Sequence, residues 1–159
     1  FHYYCNTYSS GISGAFENAA DFQQSIRQAC SSLRIGIMLK QQWTYPDDLH
    51  IYNLLMAVHD NAALKNFYTM TLAPLIQYEK RYSVDLIKTI ETYLTCDGDY
   101  KKTAILLNQH ENTIRFRINK AKSLLGMENS HYKFIEQVSL ALKARSVEKF
   151  SVNRPPNGL

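Results

Sequence analysis

Two short helical patterns joined by a tight turn lie between residues 99 and 126 of this 159-residue chain. The first pattern has one apolar stripe at helical intervals, made of Tyr100, Thr103, Ala104 and Leu107. The second has a stripe at i, i+4, i+7 and i+11, made of Ile114, Ile118, Ala121 and Leu125. Asp99 is placed as the N-cap of the first helix, and Asn108 can enter the left-handed turn conformation at low cost. A small residue at 104, a turn residue four positions later and an apolar residue six after that predict a helix-turn-helix.

The charge of the chain is concentrated in the same window. Residues 100–126 hold six of the eighteen Lys and Arg residues and one acid, Glu111, so the window carries a net charge of +5. The rest of the chain has twelve basic and thirteen acidic residues, a net charge of −1. A basic two-helix unit on a nearly neutral body is the electrostatic pattern of a DNA-binding head.

The face of the second helix opposite its apolar stripe is polar but carries one aromatic ring. Its residues are Asn112, Phe116, Asn119 and Ser123, flanked by Arg115 and Lys120. A basic outer face is in most helices simply solvated, so the charge alone does not establish nucleic-acid binding. Two features favour binding: the basic residues are not balanced by acids four positions away, and Phe116 gains nothing from the core on this face. The alternative for Phe116 is a contact with another part of the fold.

The stretch from Asp97 to Ile118 resembles the C-terminal helix-turn-helix of the PucR/CdaR family of bacterial transcription regulators. The residues that carry this resemblance are His110, Asn112, Thr113, Arg115, Arg117 and the closing Leu125-Gly126. The head is also similar to the DNA-binding end of the Fis protein. The chain departs from the family pattern at Asp99, which keeps the capping role, and at Phe116, which lacks the usual tyrosine hydroxyl. It departs again at Glu111, which suits the helix dipole but would repel phosphate if it faced DNA.

The resemblance implies a transcription regulator whose second helix, about Glu111–Leu125, enters the major groove of double-stranded DNA. The residues expected closest to base edges are Asn112, Thr113, Arg115, Phe116 and Asn119, because Asn can pair with adenine, Arg with guanine, and a ring can pack on a thymine methyl. The cations expected to hold phosphates are Lys101, Lys102, Arg117, Lys120 and Lys122. One such head covers too few base pairs for gene-level specificity, so we expect a homodimer on a two-fold site.

The resemblance also predicts the domain organisation of a mainly α chain. Residues 83–150 are expected to form the helix-turn-helix domain, 46–82 a helical linker and 151–159 a flexible tail. Residues 1–45 resemble the end of the family's degenerate GGDEF-like domain, a small α+β remnant. Because the chain opens at Phe1 without an initiator Met, we expect a piece of a longer protein with an effector domain N-terminal to it.

The other elements are predicted from capping residues and apolar periodicity. We expect a strand near the start, a turn through Gly11 and Gly14, and an extended piece at 43–45. Helices are expected over 18–40, 48–59, 62–72, 84–95 and 131–147. The expected N-caps are Asp47 or Asp48, then Asn61, Ser83 and His110, and Gly126 is expected to end the second helix of the head as a C-cap. The third helix is expected to run only to the kink region at Pro74.

Catalysis and metal binding are not expected. The chain has no GGDEF run, no paired acids placed for two metals and no Gly-rich phosphate loop. The five His lack ligand spacing, and the three Cys lack metal or redox spacing, so we expect reduced thiols and no cofactor. Without a long uncharged apolar run or a signal-peptide pattern, we expect no membrane span and a cytoplasmic protein.

The linker and the last helix carry more apolar residues than a three-helix head is expected to bury. The surplus residues are Tyr52, Leu55, Phe67, Tyr68, Leu72, Phe134, Val138 and Leu142. Some of these residues are expected to pack on residues 1–45. Exposed surplus of this kind marks a protein interface, so we expect a homodimer through the linker or the C-terminal helix. The alternative function is a helical partner-binding or dimerisation module without DNA binding of its own, and salt-dependent DNA binding would separate the two.

Overall fold

The computed structural model describes residues 8–15 and 18–152. Within those ranges the chain forms seven α-helices and one pair of very short strands, which confirms the mainly α fold class. The strands are β1 (Ser10–Gly11) and β2 (Trp43–Thr44), and short 3₁₀ turns lie at Ala19–Asp21 and Pro46–Leu49. The helices are α1 (Phe22–Leu39), α2 (His50–Ala57), α3 (Ala62–Tyr82), α4 (Leu86–Thr95), α5 (Tyr100–Leu107), α6 (Glu111–Leu124) and α7 (His131–Val152).

The chain folds as two compact units. One contains the described residues up to His59 together with residues 146–152, and the other contains residues 60–145. Helix α3, which was predicted to belong to the linker, therefore lies in the same unit as the helix-turn-helix. The predicted domain boundaries at 45 and 82 stay predictions. The flexible tail was predicted to begin at residue 151, and this is wrong because α7 continues through Val152. The rest of the predicted tail, residues 153–159, lies outside the described residues.

In the first unit, α1 packs on the parallel pair formed by β1 and β2. The amide of Ile12 donates to the carbonyl of Thr44 at 3.0 Å. Gly11 is required where β1 meets α1, because an added Cβ would lie 2.2 Å from the Ala29 carbonyl oxygen. The predicted long helix and the extended piece at 43–45 are therefore confirmed. The predicted early strand falls largely on residues 1–7, outside the described residues, and β1 includes Gly11, where a turn was predicted. That these elements are a GGDEF-like remnant stays a prediction.

The same helix leaves an apolar stripe exposed. The exposed large apolar residues of α1 fall on one face of the helix at positions 22, 26, 33 and 37. A contiguous apolar stripe on a surface helix is typical of a face that another chain or another part of the protein covers.

Three predicted helix boundaries are wrong. Helix α2 begins at His50 after the 3₁₀ turn, and its N-cap is Leu49 rather than Asp47 or Asp48. Helix α3 does not stop near Pro74 but continues to Tyr82. Ser83 does not cap α4: it ends α3 in the left-handed conformation (φ 51°), and α4 starts at Leu86.

Tertiary contacts explain the last two corrections. Pro74 has no N–H for the carbonyl four residues earlier, a loss of about 3 kcal/mol in a helix interior. Leu72 and Leu75 on either side of it are fully buried, and each such burial stabilises the fold by about 1.5–3 kcal/mol. At the start of α4 the free amide of Ile87 donates to the Glu79 carboxylate from α3 at 3.1 Å, so a side chain from another helix replaces the local cap.

The core of the 60–145 unit consists of side chains from α3, α4, α5, α6 and α7. Its most buried members are Leu72, Leu75, Leu86, Ile90, Tyr93, Ile114, Ile118, Ala121, Phe134, Val138 and Ala141. Four residues predicted to be surplus are buried here, Leu72, Phe134, Val138 and Leu142, and Phe67 and Tyr68 pack against the same core. Leu55 is buried, and burial of Tyr52 raises the pKa of its hydroxyl. Five of the eight residues are therefore buried and the other three are half-buried, so the expected exposed surplus is not present.

No helix in the described ranges is long and apolar enough to cross a membrane.

Candidate nucleic-acid interface

The first helix of the head is held by its two ends. Asp99 caps α5, because its Oδ1 accepts from the amides of Lys101 at 2.8 Å and Lys102 at 3.0 Å. These bonds, that of Lys102 first, hold the pKa of the Asp99 carboxyl below its ordinary value. At the other end Asn108 is left-handed (φ 49°), and the next amide, of Gln109, donates to the Ala104 carbonyl at 2.9 Å. The predicted cap and the predicted turn residue are both confirmed.

The second helix, α6, also begins and ends as the sequence predicts. His110 is the N-cap, and its Nδ1 accepts from the Asn112 amide at 3.2 Å. Gly126 follows the last turn with φ 64°, and the Met127 amide donates to the Lys122 carbonyl at 2.9 Å. This closing pattern provides hydrogen-bond donors for the carbonyls of Ala121, Lys122 and Ser123 at the end of α6.

The buried stripe of α6 orients the helix. Ile114, Ile118 and Ala121 are fully buried, so the opposite side of α6 must face outward. Asn112, Arg115, Phe116 and Asn119 are exposed there, and Thr113 is half-buried at the edge. The Phe116 ring is 62% exposed, so it is not packed into another part of the fold.

Arg115 is held in place by two neighbours. Its Nε and Nη2 donate to the same oxygen of Glu111, at 2.9 and 2.6 Å. Its guanidinium carbon also lies 4.3 Å from the centroid of the Tyr100 ring of α5. The expectation that no basic residue of the window has an acid four positions away is therefore wrong for Arg115. Glu111 suits the helix dipole and orients this arginine.

The five predicted phosphate-binding cations divide into two groups. Lys101 and Lys102 are exposed in the first turn of α5. Arg117, Lys120 and Lys122 are half-buried and each contacts another helix. Arg117 donates from Nη1 to Thr89 Oγ1 of α4 at 3.0 Å. The Lys120 and Lys122 ammonium groups lie 5.3 and 5.8 Å from the rings of Tyr78 and Phe134.

The residues that orient these cations were not predicted as part of the site. Tyr100, Tyr78 and Thr89 come from three other helices, and only Tyr100 lies inside the window. Tyr100 was assigned to the apolar stripe, and it does pack against Tyr93 with ring centroids 4.9 Å apart. Burial, and then the hydrogen bond with Tyr100, raise the pKa of the Tyr93 hydroxyl above its usual range. Periodicity in one helix carries no signal for such contacts between helices.

Beside Lys122 lies His131, the first residue of α7. Burial, and then the nearby Lys122 ammonium, hold the pKa of the His131 imidazole below its ordinary value. The neutral ring is therefore favoured here. Among residues 8–15 and 18–152, no group of three or more His, Cys, Asp and Glu side chains could hold a metal ion.

The model of one protein family, the PucR C-terminal helix-turn-helix domain, matches residues 86–144. That range contains α4, α5, α6 and most of α7.

Three proteins similar to the chain are regulators of Bacillus subtilis strain 168. The chain is 22% identical over 141 residues to the DNA-binding transcriptional activator AdeR, a match that covers 85% of this chain and 33% of AdeR. It is 28% identical over 141 residues to the purine catabolism regulatory protein, covering 86% and 26% of the two chains. It is 24% identical over 135 residues to the proline-responsive transcriptional activator PutR, covering 83% and 33%.

The chain thus spans about a quarter to a third of the length of these relatives. No solved structure matches the chain. The resemblance of the head is confirmed by the family match and by the relatives, whereas the GGDEF-like remnant is supported by neither. Residues 86–144 thus match a PucR-type helix-turn-helix domain, and the chain is similar over most of its length to three regulatory proteins.

Proposed function

We propose that this chain binds double-stranded DNA with the outward face of α6 in the major groove. On that face Asn112 and Asn119 can pair with adenine, Arg115 can bond guanine with two N–H groups, and Phe116 can pack on a thymine methyl. Thr113 reaches the same groove from the edge of the face. The orientation of Arg115 by Glu111 and Tyr100 supports this role, because a base-reading arginine gains specificity from a fixed geometry.

The observation that carries the proposal is the exposed Phe116 ring between polar and basic neighbours. A solvated helix face gains nothing from a ring that is 62% exposed. A DNA-reading face gains apolar contact with the base edges from the same ring.

We assign phosphate binding to Lys101, Lys102, Arg117, Lys120 and Lys122. The contacts of the last three support the assignment rather than weaken it. Arg117 donates one of its five N–H groups to Thr89, so the others can bind phosphate. Lys120 and Lys122 lie near the rings of Tyr78 and Phe134, and their ammonium N–H groups can also bind phosphate. Phosphate contacts of this kind set affinity and register but not sequence.

The test is the salt dependence of binding to a duplex. Five phosphate contacts predict a slope of log K against log salt of about −4 to −5 for one head, and about twice that for a dimer. Lys101→Ala should reduce the slope, whereas Lys149→Ala, an exposed lysine of the other compact unit, should not. A slope near zero, or no binding at low salt, would rule out the proposal.

We further propose that the chain acts as a homodimer on a two-fold site with half-sites about 34 Å apart. The predicted surplus surface no longer supports the dimer, because its residues are buried or half-buried. The remaining support is the small footprint of one head. Sedimentation with and without a two-fold DNA site tests it, and tight binding as a single copy would contradict it.

The rest of the protein's activity is proposed from its relatives. They are about three to four times as long as the matched region, which supports an effector domain N-terminal to it. All three are named as regulators, which supports action by binding rather than catalysis, without a cofactor. We place the protein in the bacterial cytoplasm, where its proposed DNA partner lies.

The second candidate is a partner-binding helical module without DNA binding. The exposed apolar stripe of α1 favours it, as do Ile105 and Leu106 on the outer side of α5, which are 78% and 68% exposed. The salt experiment separates the two candidates, because a module of this kind would not bind DNA at low salt.

A further inference from the structure

The last turn of α3 forms an aromatic and basic surface next to α6. The rings of Tyr78 and Tyr82 lie with centroids 4.5 Å apart, and the guanidinium carbon of Arg81 lies 5.5 Å from the Tyr82 ring. Lys120 of α6 reaches over the Tyr78 ring at 5.3 Å. We call Tyr78, Arg81, Tyr82 and Lys120 the flank cluster.

Folding of the chain does not account for this arrangement. Arg81 is exposed and Tyr82 is 53% exposed, so neither side chain contributes much to the core. Neither Arg81 nor Lys120 is paired with a carboxylate within the described ranges. The acid of the same turn, Glu79, instead accepts from the Ile87 amide at 3.1 Å. The two cations of the cluster are therefore not neutralised locally.

We propose that the flank cluster binds a phosphate of the DNA backbone beside the segment read by α6. The inference rests on the proposed function and extends its DNA contact from the helix-turn-helix to α3. Lys120 belongs to both surfaces, so the cluster continues the basic edge of α6. The Arg81 guanidinium supplies paired N–H donors that match phosphate oxygens, the Tyr82 ring holds its plane, and the Tyr82 hydroxyl adds a donor.

A helix dipole also favours basic residues in a last turn, and this effect must be separated from DNA binding. Lys80 provides the control. It lies in the same turn as Arg81 and is also exposed, but it lines a different groove with Tyr68, Ile76 and Arg145. Lys80→Gln and Arg81→Gln remove the same charge from the same turn, so a dipole effect would be equal in both.

The experiment measures binding of the full chain to a duplex carrying its selected site, from 50 to 200 mM salt. Arg81→Gln should bind more weakly than wild type at 50 mM and reduce the salt slope by about 0.9, the value for one lost phosphate. The ratio of wild-type to Arg81→Gln affinity should then fall about threefold between 50 and 200 mM salt. Lys80→Gln should keep the wild-type slope. Thermal melting of both variants controls for folding, and Tyr82→Phe tests the hydroxyl alone.

Ethylation of single phosphates locates the contact. One phosphate outside the segment read by α6 should hinder wild-type binding when ethylated and should not hinder Arg81→Gln. Equal slopes for Arg81→Gln and Lys80→Gln, with wild type still binding steeply, would overturn this inference alone. Absence of DNA binding by wild type would overturn it together with the proposed function.

Discussion

Replacing Phe116 with alanine should separate DNA binding from stability. An aromatic side chain presents about 200 Å², so 62% exposure leaves about 120 Å² in contact with water. If a thymine methyl and its neighbours cover about half of that area, the ring adds about 1.5 kcal/mol to binding at roughly 25 cal/mol per Å². Phe116→Ala should therefore raise the Kd for the selected site about tenfold. The free energy of unfolding should change by less than about 1 kcal/mol, because part of the covered area is backbone and Cβ that alanine keeps, and alanine favours the helix.

Two controls make the result interpretable. Ile118→Ala, two residues later and fully buried, should lower the free energy of unfolding by about 2–5 kcal/mol. Met70→Ala removes a comparably exposed apolar side chain from α3 and should change neither quantity. Urea denaturation measures the free energy of unfolding, and fluorescence anisotropy with labelled duplex measures the Kd. A loss of more than about 1 kcal/mol of stability in Phe116→Ala, with an unchanged Kd, would refute the reasoning.

Three further predictions concern the caps and the arginine of the head. Because its amide bonds depress the pKa of Asp99 in the folded state, its stabilising effect is present above the ordinary pKa of 3.8 and is lost as pH falls through the folded value. The melting temperature should drop over that acid range, and less so in Asp99→Ala. Gly126→Ala should cost about 1 kcal/mol in urea denaturation, because alanine is strained at φ 64° although the space around it is open. Arg115→Lys should reduce preference for the selected site by about 1–3 kcal/mol while leaving affinity for random DNA nearly unchanged, since lysine cannot make the paired contact to guanine.

The sequence predicted the head well because its helices follow local rules. The N-caps at Asn61, Asp99 and His110 and the left-handed turn at Asn108 are all present, since each depends on a side chain bonding its own nearby backbone. The outward face of α6 was predicted because burial of Ile114 and Ile118 fixes the rotation of that helix.

Predictions failed where a distant contact replaced a local rule. Burial of Leu72 and Leu75 carries α3 through Pro74, and the Glu79 carboxylate replaces Ser83 at the start of α4. The prediction of exposed apolar residues on the linker and the last helix failed for the same reason. Phe134 and Val138 of α7 are buried in one core with Leu72 of α3, a packing that apolar periodicity within each helix cannot reveal. Specific roles for the residues on α6 are likewise not derivable from periodicity, which gives the face but not the ligand.

The rings beside the cations of α6 restrict the rotamers of these side chains, an effect that the net charge of residues 100–126 does not describe. Arg115 and Lys120 lie over rings from α5 and α3, and Lys122 lies near a ring from α7. Ordering a free Lys or Arg side chain costs up to about 2 kcal/mol of rotamer freedom. Because packing with other helices already restricts these three side chains, part of that cost is met during folding rather than on contact with DNA. Two chains with the same +5 window could therefore bind DNA with different affinity, depending on which rings their neighbouring helices supply.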